Sequence, residues 1–142
     1  MDMNRFNGPT QSLSIYSMLQ VRESEQRPIR VGVIGAGATG RAIALQLGTP
    51  VAGIRLVGIA NRTAQHAERA FREAGIRHWE EATTAHDAET LVARGVPVLT
   101  EDPHVLTRCN AVDLIVEVTG TVDFGASVVL DAIAHGKSVV IV

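Results

Sequence analysis

The stretch Val31–Gly40 reads VGVIGAGATG, an apolar run that passes directly into Gly35-x-Gly37-x-x-Gly40. No other feature limits the fold as strongly. Gly35 permits a tight turn off a strand, Gly37 lets backbone approach a pyrophosphate, and Gly40 lets the following helix pack close to that strand. The first amides of such a helix face the phosphates. The pattern predicts a dinucleotide-binding turn.

Glycines also serve ordinary turns, and this chain has 13 of them, so the surroundings decide. Apolar periodicity predicts a strand over Ile29–Ile34, a helix over Thr39–Leu47, a second strand over Ile54–Ala60 and a helix over Thr63–Ala74 closed by Gly75. That order is a right-handed βαβ unit with parallel strands. Val96–Leu99 reads as a short strand, and Asp102-Pro103 as an N-cap with proline at the first helical position, opening a brief helix to about Arg108. Asp113–Val118, apolar in its interior except for Glu117, reads as a strand covered on both faces. Thr121–His135 reads as a helix closed by Gly136, and Ser138–Val142 as the start of a fifth strand. Ile76–Arg94 is less legible and reads as an insertion carrying a helix near Asp87–Ala93.

The expected fold class is therefore α/β: a Rossmann-type, doubly wound, mostly parallel sheet with helices on both faces, truncated after the fifth strand begins. Residues 1–28 read as a leader with a short docking helix and linker, with Leu13, Tyr16, Leu19 and Val21 at roughly helical spacing. Residues 29–142 read as the nucleotide-binding domain, with a C-terminal substrate region absent. The length suits one domain, and 46% apolar residues suffice for a sizeable core.

Net charge is −2 with acids and bases interspersed, so no basic stripe points to nucleic acid or to a membrane surface. No apolar run approaches the ~20 residues of a membrane span, and the N-terminus has no signal-peptide core. A cytoplasmic location is expected. Cys109 is the only cysteine, which excludes an intramolecular disulfide and a multi-thiolate metal site, and it reads as a small buried thiol. His66, His78, His86, His104 and His135 show no ligand spacing, so no metal site is expected.

The candidate pyrophosphate residues are Gly35, Ala36, Gly37, Ala38, Thr39 and Gly40. Beyond the second strand the sequence runs Ala60-Asn61-Arg62-Thr63, without the acid that accepts from the adenosine ribose in the NAD-type fingerprint. Arg62 can pair with a 2′-phosphate, and Asn61 and Thr63 can donate neutral hydrogen bonds. The reading favours NADP(H), with NAD(H) as second candidate. Thr119-Gly120-Thr121 falls at the carboxyl edge of the sheet: Gly120 would let the nicotinamide ribose approach, and Thr121 or Thr119 would cap the next helix. Glu117 is costly to bury unless bonded, and reads as a strand-end acid that bonds a neighbouring amide or reaches water.

The segments RPIRVGVIGAGATGRAIALQL, IANRT, DLIVEVTGTVDFGA and AIAHGKSVVIV together resemble the cofactor domain of the homoserine dehydrogenase-like NAD(P)-dependent oxidoreductases, over Arg27–Val142. Within that group the chain is similar to the branch related to 1-deoxy-D-xylulose 5-phosphate reductoisomerase, whose members often carry a SAF-type domain. The resemblance implies hydride exchange between a nicotinamide and a small carbonyl or hydroxyl substrate, in a full-length protein that is homo-oligomeric. It places Gly35, Gly37 and Gly40 at the pyrophosphate, Arg62 at the adenosine end and Thr119–Thr121 at the nicotinamide end. Catalytic residues would lie beyond Val142, and none is assigned here. The rival is a dinucleotide-sensing module that changes partner contacts without chemistry.

Overall fold

In a computed structural model of the chain, residues 14–142 are described. The elements run α1 (Ile15–Ser24), β1 (Ile29–Ile34), α2 (Ala38–Gly48), β2 (Ile54–Ala60), α3 (Ala64–Glu73), β3 (Glu80–Glu81), α4 (Ala85–Ala93), β4 (Val98–Thr100), α5 (Pro103–Thr107), β5 (Leu114–Glu117), α6 (Val122–Ala134) and β6 (Ser138–Ile141). The six strands form one sheet in the order β3-β4-β2-β1-β5-β6, and every pairing is parallel.

Alternation along the strands builds two cores. Val31, Val33, Leu56, Ile59, Leu99 and Val116 point to the face covered by α2 and α3, where Ala44, Ala67, Ala70 and Phe71 meet them. Ile34, Ala60, Val98 and Ile115 point to the other face, under α4, α5 and α6 through Ala88, Leu91, Leu106, Val128 and Ala132. A parallel sheet needs both faces covered, and alternation along the strands supplies two apolar faces, with a register shift at Val57 that leaves Leu56 and Ile59 on the same face of β2. The α3 face is further closed by Trp79, whose ring stacks on Phe71 at 5.4 Å.

The doubly wound class expected from the sequence is present, and the sheet is wholly parallel. β1 and β2 span the residues anticipated; α3 and α6 are one residue shorter at each end because their expected termini are cap positions, and α2 extends one residue further at each end. Ile76–Arg94 is not an insertion off the fold. Glu80 and Glu81 pair with Val98 and Leu99 as the sheet edge, and the following α4 buries Ala88 and Leu91 in the core.

At the N-terminus, Leu13 lies outside the described residues. α1 forms, with Tyr16 and Val21 exposed, Leu19 half-buried and no residue of the helix fully buried. Polar contacts hold it. Glu23 accepts from the Gly53 N–H at 2.7 Å and from Arg55 at 2.5 Å, and the Leu19 backbone lies against Gly53.

Candidate functional site

From β1 the chain winds outward on one side through β2, and it returns on the other side through β5 and β6. The loops leaving β1 and β5 therefore diverge, and the crevice opens between them at the carboxyl ends of the strands. A cleft of about 600 Å³ lies there, within the range of small-molecule and cofactor sites. Its walls are Ile34–Gly37, Ala60–Thr63, His66, Glu101, Pro103, Val118, Thr119, Thr121 and Phe124.

The glycines divide their roles by geometry. Gly35 has φ of +111°, and a Cβ on it would stand 2.9 Å from the Val118 carbonyl carbon, so both conformation and space demand glycine. Gly40 is buried at the start of α2, and a Cβ there would run into the Gly35 carbonyl group, 2.8 Å from its carbon. At Gly37 a Cβ would meet nothing within 4 Å. That residue leaves open space beside the cleft, which a ligand backbone can use.

Side-chain capping separates the helices. α1, α4 and α5 are capped by Ser14, Thr84 and Asp102, each accepting a backbone N–H at 2.9–3.1 Å. Among the described residues four helices start at the cleft: α5 has the Asp102 cap, while α2, α3 and α6 have Gly37, Thr63 and Thr121 at their N-caps and none of these makes a side-chain cap bond. The first amides of a helix have no intrahelical partner and carry the positive end of its dipole. Three helix starts thus leave those donors to another acceptor. The expected caps correct accordingly: Thr121 occupies the cap position without capping, and the Thr119 hydroxyl accepts from the Thr121 N–H only at 3.4 Å.

Gly35, Ala36, Gly37, Asn61, Arg62, Thr63, Thr119 and Thr121 are brought together on the cleft walls. Ala38, Thr39, Gly40 and Gly120 flank them. Ala36 lines the cleft, but its N–H donates to Asn61 Oδ1 at 3.0 Å. Asn61 Nδ2 in turn donates to the Thr63 carbonyl at 2.9 Å, so one of its two amide hydrogens serves the protein backbone. Arg62 is exposed on the wall beside it. His66, Glu101, Pro103 and Phe124 complete the cleft and were not singled out from the sequence. The available signal was positional: each lies in the loop after a strand's carboxyl end or in the first turn of the helix that follows it.

Glu117, at the end of β5, is 4% exposed. Its Oε1 accepts from the Thr119 N–H at 2.8 Å and from the Thr119 hydroxyl. This is the local backbone partner that a buried carboxylate needs. The contact fixes the turn into Gly120, whose φ of +71° sends the chain toward α6. Cys109 is fully buried, and that burial pushes its thiol pKa up, away from nucleophile chemistry. Among the described residues, no group of three or more His, Cys, Asp and Glu side chains is placed to hold a metal ion.

A family model described as the homoserine dehydrogenase NAD-binding domain matches residues 35–142. The chain belongs to this family. Homoserine dehydrogenase of Mycobacterium leprae (strain TN) is 32% identical over 122 residues, which cover 82% of this chain and 23% of that protein. This member of the homoserine dehydrogenase NAD-binding family therefore spans about a quarter of that relative's length. Among solved structures, its fold is similar to myo-inositol dehydrogenase from Lactobacillus casei in complex with NAD(H) and myo-inositol, with TM-score 0.60, 23% identity, and 80% and 28% of the two chains covered. A 3-ketoreductase from Actinomadura kijaniata in complex with TDP-benzene and NADP matches at TM-score 0.55 and 24% identity, with 80% and 29% covered.

Proposed function

We propose that the cleft binds a nicotinamide dinucleotide, with the pyrophosphate over Gly37 and the start of α2, the adenosine end against Arg62 and Thr63, and the nicotinamide end against Thr119–Thr121. The observation that carries this reading is the selective absence of side-chain caps on α2, α3 and α6 around an open Gly37. Uncapped amides and helix dipoles suit an anion that runs along the cleft, and the cleft volume suits a cofactor.

NADP(H) is the preferred form in this reading. The β2 terminus offers Arg62 and no carboxylate at Ala60–Thr63, so a 2′-phosphate meets a cation from that segment. Glu101 also lines the cleft and follows Thr100, which pairs with Ala60, so the nearest acid comes from the neighbouring β4 terminus and not from the β2 terminus itself. A hydrogen bond to a charged group contributes about 1.5–3 kcal/mol, which corresponds to a roughly ten- to hundredfold preference.

Bound there, the cofactor would supply hydride transfer, with the protein providing orientation and electrostatics. The whole protein is then an oxidoreductase acting on a small carbonyl or hydroxyl substrate, consistent with the dehydrogenases it resembles. The test is a titration with NADPH and NADH followed by nicotinamide fluorescence. Tighter NADPH binding that weakens selectively in Arg62→Ala supports the assignment. Equal loss of both ligands in that variant removes the 2′-phosphate contact.

A further inference from the structure

Asn61 joins three separate strand ends. Its backbone N–H donates to the Thr100 carbonyl at the end of β4, its Oδ1 accepts from Ala36 in the glycine loop after β1, and its Nδ2 donates to the Thr63 carbonyl after β2. The two side-chain bonds need opposite polarity at the two ends of one planar group. A carboxamide provides this, whereas a carboxylate is acceptor-only and would set an oxygen against the Thr63 carbonyl. The Thr63 bond closes the short turn over Arg62, and the Ala36 bond ties that turn to the loop beside Gly37.

We infer that Asn61 is a positioning residue for cofactor choice: it acts through Arg62, fixing that side chain's distance from the pyrophosphate loop, and does not itself touch the cofactor. The inference rests on the NADP reading above. The pyrophosphate and the 2′-phosphate are held apart by one adenosine unit, so both can be bound well only if their two protein sites keep a set spacing. Arg62 is exposed and lies between the anchored residues Asn61 and Thr63. Without the latch its backbone would be tied to the glycine loop only through the sheet.

The test is a double-mutant cycle on the NADPH-to-NADH ratio of dissociation constants, measured by nicotinamide fluorescence. Loss of general stability weakens both ligands alike and leaves the ratio unmoved. Asn61→Ala is expected to cut the NADPH preference by about three- to tenfold, the range of one ordinary hydrogen bond, in the wild-type background. It is expected to change nothing further in an Arg62→Ala background. Asn61→Ser, which retains a hydroxyl for the Ala36 N–H, provides the same comparison if the alanine variant fails to fold.

An unchanged ratio in the Asn61 variants overturns the inference, and so does a loss that adds in full to that of Arg62→Ala, because additivity means that Asn61 acts independently of Arg62. A wild-type protein without NADPH preference overturns the NADP reading itself, together with this inference, and is recognised before any Asn61 variant is measured.

Discussion

Gly125, in the first turn of α6, leaves the space into which the Glu117 carboxylate fits: a Cβ on Gly125 would stand 2.8 Å from Glu117 Oε2 and 3.0 Å from Cδ. The end of β5 and the start of α6 are thereby joined through one buried acid. A carboxylate beneath a helix N-terminus is favoured by the dipole, and Thr119 supplies its local donors. Replacing glycine by alanine inside a helix ordinarily stabilises by about 1 kcal/mol. Here the added methyl group displaces a bonded, buried charge, which costs more, on the order of 1–3 kcal/mol. Gly125→Ala should therefore lower the denaturation midpoint, and a raised midpoint would show that the carboxylate moves aside freely.

Gly37 and Gly40 should separate binding from folding. Alanine at Gly40 meets the Gly35 carbonyl group and forces α2 off β1, so Gly40→Ala should cost roughly 1–3 kcal/mol, the range of overpacked sites, by urea denaturation. Gly37→Ala meets nothing in the protein and should keep stability within about 0.5 kcal/mol. Comparable losses in the two variants would contradict the division of roles.

Asp131 ties α6 to α5. Its carboxylate takes Arg108 Nη2 at 3.0 Å, the Thr107 hydroxyl at 2.5 Å and His104 Nδ1 at 2.9 Å. The Arg108 guanidinium, then Thr107 and His104, hold its pKa well below the ordinary carboxylate range against the opposing effect of burial. A pKa depressed in the folded state means that the unfolded chain binds the proton more readily. The contribution is thus complete above the ordinary aspartate value of about 4, and it is lost as pH falls below that value toward the folded-state pKa. Asp131→Asn should cost about 2 kcal/mol at pH 7 and much less near pH 2, seen as converging denaturation midpoints. A difference between the two proteins that stays constant across that range would refute the assignment.

The glycine turn, the first two strands and the Asp102-Pro103 helix start were legible because each depends on local chemistry or on a period of two. Val31 and Val33 face one core while Ile34 faces the other, and the sequence shows that alternation directly. β3 escaped because it is two exposed glutamates, whose only strand signal is backbone pairing with Val98 and Leu99. The Asn61 latch escaped because its partner Ala36 lies 25 residues away and contributes a backbone amide, which carries no side-chain signature. Thr121 misled for the converse reason: a hydroxyl at an N-cap position suits capping by type, yet it makes no cap bond at the cleft edge. Local rules favour satisfied helix ends, and departures from them gather around the cleft.

The most direct measurement is a fluorescence titration of wild type and Gly37→Val with NADPH and NADH, with circular dichroism on both proteins. A Cβ at Gly37 meets no protein atom within 4 Å, so a branched side chain there would extend into the open space beside α2. Wild type should bind NADPH roughly tenfold or more tighter than NADH, and a Gly37→Val protein of unchanged fold should bind neither. Dinucleotide affinity in folded Gly37→Val equal to that of the wild type would contradict it.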